Sequence, residues 1–501
     1  MSKYIHTPCS IKWQDVIMHD FSLSSSQYAS FVMPNKNCKN VGEFLARPLR
    51  RKDLGVEVGS LNYIDRSPYS FIRTKALQEH SFLPDLNKET ILPIMPSEFV
   101  QMNLKEGDLL ISKDSNIGEI VILDKDYPNC MLSGAIYRLP VKNEWRYYLL
   151  AFIKHDVFRE QLDSMVPKGA TIRHAKTMFL DCKIPLPNYN ADSAMRFISL
   201  LTQAIVNKEK LIKYRHGCII QSIDNELLNS QNDNKTKFEF PKINEIRAVG
   251  RLDVSRYSKE YKEYEQLISG YKNGSFRLSE NGYSVKRGQN LQVSCIGESI
   301  YSNSMINGFY KLAVSSNFSE YSTVDKLAYI GNPHKLSVIK KGEVVFSARG
   351  AQFGRVIVYP EIVDNVITNI DSLVIANSDA PLYHSIYIAM FLNRLRWNKH
   401  IYKIAITGSG ANSLTAYQSD DINFPNFPEQ KQKEIAALYH NPKEYDTSGF
   451  TLENFLEKDN EFNSKAGIYE LDKTAKQLKR LLDKAIDDIV NDRDVDIKFS
   501  E

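Results

Sequence analysis

Close pairs of cysteines, long apolar runs and the usual nucleotide- or nucleophile-activating motifs are all missing from this chain. Its six cysteines (Cys9, Cys38, Cys130, Cys182, Cys218 and Cys295) are scattered. Without a CxxC or other short spacing, neither a zinc site nor a disulfide framework is expected, and a reducing cytoplasm fits this usage. No stretch approaches the ~18 apolar residues that span a bilayer. The start MSKYIHTPCSIKW has no basic segment followed by an apolar core, so neither a membrane nor export is expected. GxxxxGK[ST], GxGxxG after a strand, GxSxG and HExxH do not occur. The nearest phosphate-loop look-alike, Thr407-Gly408-Ser409-Gly410, lacks the following Lys and reads as a turn. No catalytic residue, metal site or bound cofactor is therefore expected. The net charge of +4 permits a polyanionic partner without requiring one.

What the chain does contain is a repeat. GDLLISKDSNIGEIVIL (107–123) returns as GEVVFSARGAQFGRVIVY (342–359), with the opening Gly, the apolar triplet, the Ser and the second Gly in one order. The first Gly recurs after 342 − 107 = 235 residues and the second, Gly118 to Gly354, after 236. Each hairpin-like stretch is followed by an apolar, aromatic run at helical spacing, WRYYLLAFIKHDVFREQL (145–162) and LYHSIYIAMFLNRLRW (382–397). Polar, Gly-containing segments come next, PKGATIRHAK (167–176) and TGSGANSLTAYQ (407–418). Proline-bounded strands, CKIPLP (182–187) and INFPNFP (422–428), close each series. Upstream, RRKDLGVEVGS (50–60) echoes KRGQNLQVSCIG (286–297). Duplication of a domain of about 190 residues, predominantly β with a helix or two, accounts for five elements in one order.

The scaffold residues agree between copies, while the turn contents differ. Lys113, Asp114, Ser115 and Asn116 fill one turn; Arg349 and Gln352 fill the other, with Arg355 just beyond. Arg reads guanine and Asn or Gln reads adenine through paired hydrogen bonds, although these are also ordinary turn residues. The polar segments add Lys168, Thr171, Arg173, His174 and Lys176 in the first copy and Ser409, Asn412, Thr415 and Tyr417 in the second. His174 between cations reads better as part of a phosphate-facing loop than as a general base.

Two helices complete the chain. Ile198, Leu201, Ile205, Ile212 and Ile219 form a heptad seam over 191–235, weakened by Lys208, Arg215 and Ser222 at later seam positions. Leu471, Leu478, Leu482 and Ile489 belong to a cleaner seam in the last segment. The expected division is a first domain at 1–190, a central helix and linker at 191–235, a second domain at 236–428 and a distal helix at 429–501 interrupted near 441–467. The fold class is α+β, two pseudo-repeated mainly-β domains separated by two long antiparallel coiled-coil helices. A 30-residue helix is about 45 Å long and would hold such domains apart in a dumbbell.

This pattern resembles the specificity subunit of type I restriction-modification systems. The residues carrying the likeness are the two hairpin stretches, the Gly169 and Gly410 segments running into IPLP and FPNFP, and the PxxPEQxxxEI exit from Pro425 to Ile435. The resemblance implies a non-catalytic subunit whose two target recognition domains each read one half of a split double-stranded DNA site. It implies that the helices set the spacer and bind two adenine methyltransferase subunits, which carry the S-adenosylmethionine site, and that restriction and translocase subunits can join. The first copy leaves through NYNADSAMRFI, without the EQ of the second exit. A second reading is a protein-interaction adaptor with a coiled-coil spacer, kept open by the modest charge. A third, a single-chain restriction or modification enzyme, is disfavoured by the missing motifs.

Overall fold

In the computed structural model, which describes residues 4–500 apart from 19–20, 22, 24–27, 88–89, 166–175, 233–239, 251, 253 and 409–410, the two hairpins share one hydrogen-bonded frame. Strands Leu109–Ser112 and Ile120–Ile122 pair antiparallel, as do Val344–Ser347 and Val356–Val358. Gly118 N–H donates to Ser112 O at 2.9 Å and Gly354 N–H to Ser347 O at 2.8 Å. Both glycines have φ near +80°, at 80° and 82°, the left-handed region that favours glycine. A third strand adds to each hairpin in the same register sense, Ile136–Leu139 in one copy and Ser372–Ala376 in the other.

These strands read as unbroken apolar runs because both faces are covered. Leu109, Ile111, Ile120 and Ile122 face one cluster; Leu110 and Val121 face another. Val345, Ile357 and Val374 do the equivalent in the second copy, against Phe318 and Val366. The following helices, Arg146–Lys154 and Leu382–Trp397, are buried almost all round. Tyr148 Oη donates to Pro185 O at 2.8 Å and Tyr387 Oη to Pro425 O at 2.5 Å, tying each helix to its proline-bounded strand, Lys183–Pro185 or Phe424–Pro425. The upstream echo is equally concrete. A Cβ on Gly55 would lie 2.1 Å from Ser133 O, and one on Gly288 would lie 2.2 Å from Asn369 O, so backbone crosses backbone where a side chain has no room.

The chain divides into two compact units: Met1–Lys210 with Glu444–Ser464 and Lys473–Glu501, and Leu211–Lys443 with Lys465–Asp472. The 39-residue helix Ala191–Asn229, ~58 Å long at 1.5 Å per residue, contributes to both. Within the first unit Ile198, Leu201 and Ile205 share a core with Leu478, Leu482 and Ile489 of the helix Ile468–Val490. Asn190 lies beside Asp494 while Glu209 pairs with Lys479, so the two helices run antiparallel there. In the second unit Ile212, Ile219 and Leu471 are buried. The chain is thus mixed α+β, with several small sheets and long packed helices, as its sequence leads one to expect at that level.

Lys208, the residue that interrupts the seam, is fully buried rather than facing water. Its Nζ is 2.7 Å from Asp459 Oδ1 and 2.7 Å from Asn463 Oδ1 on the helix Phe455–Lys465, and lies over the rings of Tyr445 and Phe462. Burial lowers its pKa, opposed by Asp459. Tyr445 Oη and Asn463 Nδ2 donate to the Asp459 oxygens at 2.7 Å each, so the carboxylate is satisfied from three sides. The stretch that interrupts the distal helix thereby has a fixed seat on the central one. No helix among the described residues is long and apolar enough to cross a membrane.

Candidate nucleic-acid interface

Each turn hangs from the same two bonds. Lys113 N–H donates to Ala135 O at 2.9 Å and Ala348 N–H to Asp371 O at 2.9 Å, which fixes the start of each turn on its neighbouring strand. Ser112 Oγ then reaches Asp114 O at 2.7 Å, and Ser347 Oγ reaches Arg349 O at 3.4 Å. From there the copies diverge. In the first turn Lys113 and Asp114 are half-buried and paired at 3.2 Å, so they neutralise one another. Ser115 takes φ of 63° and stands exposed beside exposed Asn116, whose Nδ2 lies 3.3 Å from Leu77 O.

In the second turn Gly350 supplies the left-handed residue, Arg349 is exposed and Gln352 is half-buried. Arg349 pairs with Ser413 through an antiparallel bridge, and Leu414 N–H donates to Ala348 O at 3.0 Å. The turn is therefore brought against the polar segment that contains the short hairpin Ile406–Gly408 and Ala411–Ser413. Asn412 is half-buried next to that bridge. Thr415 is exposed, its Oγ1 engaged by Gln418 at 3.0 Å, and Tyr417 is 86% exposed, an aromatic face open to solvent.

Sequence reasoning misses Arg287. It sits at the end of the strand Ser284–Arg287, and its Nη1 and Nη2 lie 3.3 Å from Ile370 O and Leu414 O. Burial and the neighbouring Arg349 both lower its pKa, with Asp371 opposing. Two guanidinium groups are thus held close at one edge of the second unit, an arrangement that favours an anionic group such as phosphate. The only signal for it in the sequence is its place just before Gly288 in the upstream echo.

Arg355 has a different setting. Its Nη1 donates to Phe318 O and its Nη2 lies 3.6 Å from Glu320, inside the unit. Lys176 is exposed with φ of 47°. Lys168, Thr171, Arg173, His174 and Ser409 lie outside the described residues. The seam residues Ile198, Leu201, Ile205, Ile212, Ile219, Leu471, Leu478, Leu482 and Ile489 are all buried, so a partner would meet the other faces of these helices.

Among the described residues no group of three His, Cys, Asp or Glu side chains could hold a metal ion. A polar cavity of about 180 Å³ lined by Lys286, Gln289, Ser337 and Thr368 lies behind the second hairpin. That is below the roughly 300 Å³ at which small-molecule sites begin. The described turns offer exposed hydrogen-bonding and cationic side chains.

No family model and no curated protein matches the chain. Among solved structures it is similar to the S subunit of a type I restriction-modification system from M. genitalium, at 11% identity over 92% of this chain and 97% of that one, with a TM-score of 0.39. A chain from a structure concerned with complex assembly and conformational transition of the type I R-M system is 13% identical over 92% and 99%, with a TM-score of 0.28. The HsdS subunit from Thermoanaerobacter tengcongensis is 13% identical over 92% and 98%, with a TM-score of 0.26.

Proposed function

We propose that this chain is a non-catalytic DNA sequence-recognition subunit of a type I restriction-modification or methylation-only complex, each repeat reading one half of a bipartite double-stranded site. The supporting observation is one hydrogen-bonded frame built twice, with the glycine and serine bonds kept and the exposed turn side chains changed. Ser115 and Asn116 are the readers in the first copy, with the cationic 168–176 segment on the phosphates. Arg349, Gln352 and Asn412 are the readers in the second, with Arg287 and Tyr417 beside them. The 1–190 and 236–428 segments act as target recognition domains. The outward faces of the helices dock two methyltransferase subunits, which supply S-adenosylmethionine, and restriction or translocase subunits can join.

Replacing Arg349 and Gln352 together by Ala tests this. With the methyltransferase partner present, mapped methyladenines should show one half of the modified sequence relaxed, each lost base contact being worth about 1–3 kcal/mol of discrimination, and the other half intact. An unchanged motif, or equal loss of both halves, would count against the assignment. Exposed Ile300, Tyr301 and Met305 in and beside an edge strand of the second unit favour the adaptor reading, which predicts an unchanged motif.

A further inference from the structure

Behind each turn lies a cluster of charged and polar side chains that the reading of DNA does not use, and the two clusters share several equivalent positions. The segment Glu79-His80-Ser81 in the first unit has its counterpart in Glu320-Tyr321-Ser322 in the second, 320 − 79 = 241 residues on. Glu79 pairs with Arg159 at 2.9 Å, and Glu320 with Arg396 at 3.4 Å. The residue after each closing glycine enters the same cluster. In the first unit Glu119 meets Arg159 at 3.1 Å and Lys154 at 3.4 Å. In the second, Arg355 meets Glu320 and Phe318 O.

The offset of 387 − 148 = 239 set by the equivalent tyrosines makes Asn393 the counterpart of Lys154. Both side chains grip the segment's backbone: Lys154 Nζ reaches Gln78 O at 2.5 Å and Asn393 Nδ2 reaches Glu320 O at 2.9 Å. The two positions have changed together. Where the hairpin supplies Glu119 the helix supplies a lysine, and where the hairpin supplies Arg355 the helix supplies a neutral asparagine. Lys154 is buried, and burial draws its pKa down to about 8 against the pull of Glu119 and Glu209. A cation so placed is tolerated only beside carboxylates.

The far side of the segment is held by the long helices. Glu209 accepts from the Phe82 and Leu83 N–H groups at 2.9 and 3.2 Å, and Lys479 donates to His80 O at 2.9 Å. In the second unit His216 of the long helix meets the Tyr321 ring edge-on at 5.3 Å and bonds Asn393 at 2.7 Å, while Tyr439, on the 11-residue helix Glu429–Tyr439, donates from Oη to Ser322 O at 2.8 Å. Phe82 O in turn accepts from Ile122 N–H, inside the hairpin, at 2.9 Å.

We propose that Glu119–Lys154 and Arg355–Asn393 are matched positioning pairs that lock each hairpin onto a Glu-x-Ser segment clamped by the long helices, so that the helices determine where each turn sits. This rests on the reading of the turns as DNA readers. It also means that the hairpins are not interchangeable between units unless the helix residue travels with them.

The experiment uses the full chain, alone and with its methyltransferase partner, as E119R, K154N and the double variant E119R/K154N. E119R sets a third cation between Lys154 and Arg159, and the double variant recreates the pair of the second unit. Thermal unfolding of the chain alone should show E119R destabilised and the double variant recovering most of the loss. With the partner, E119R should weaken discrimination at one half-site by about tenfold or more and leave the other within about twofold, again with recovery in the double variant. No effect of E119R, or a loss that K154N does not relieve, overturns the proposal. Thermal rescue without any sequence-specific DNA binding by wild type would keep the matched pairs and remove the DNA-reading assignment instead.

Discussion

At the scale of single residues, the turn side chains differ in how far the fold engages them. Lys113 and Asp114 cancel each other, and Arg355 is drawn inward, whereas Ser115, Asn116 and Arg349 remain exposed. Histidines in the second unit give a pH signature independent of DNA. His400 is 9% exposed, stacks on Tyr264 at 4.4 Å, and has its pKa lowered to about 4 by burial first and then by Arg394, with Lys403 adding and Glu260 and Asp224 opposing. An unfolded histidine titrates near its ordinary value of 6.5, so between pH 6.5 and about 4 the unfolded chain binds more protons than the folded one. Stability should fall as pH is lowered through that window and be unaffected by this group above it. H400Q should make the slope of unfolding free energy against pH shallower there. His216, its pKa also lowered by burial, keeps part of the dependence. Equal slopes in the variant and wild type would contradict this assignment.

At the scale of elements, the sequence and the fold agree where strands and helices are buried on all sides. LLIS and VVFS are legible as paired strands because each has a covered face on both sides, and the Gly–Ser frame marks their turns. The Glu79 and Glu320 segments are not legible. Their offset of 241 departs from the 235 of the hairpins, and what makes them alike is the set of charges that gather on them from distant positions. Lys208 is misleading for the same reason. On the helix alone it is a polar break in a heptad, and only the later segment containing Asp459 explains it. Removing this lysine leaves a carboxylate buried without its countercharge. K208M should therefore cost roughly 3–5 kcal/mol in urea unfolding, and K208M/D459N should regain most of it. A K208M loss under about 1 kcal/mol would mean that Asp459 finds solvent readily and that the insert helix is not anchored by this pair.

At the scale of the whole molecule, the two units carry one hairpin frame each, and the helices Ala191–Asn229 and Ile468–Val490 each contribute to both. Duplication explains why the frame recurs, and under the proposed function the differing turn contents would let one frame serve two half-sites. The candidate readers were visible in the sequence as the contents that vary. Their partners were not, because Arg287 and Ser413 reach Arg349 only through folding. The most direct measurement is methylome sequencing of the host with and without this chain, its methyltransferase left in place. The account predicts a bipartite methyladenine motif, two short specified halves around an unspecified spacer, that disappears when the chain is removed and returns when it is restored. A motif that persists in its absence, or a continuous unsplit one that depends on it, would contradict the central claim.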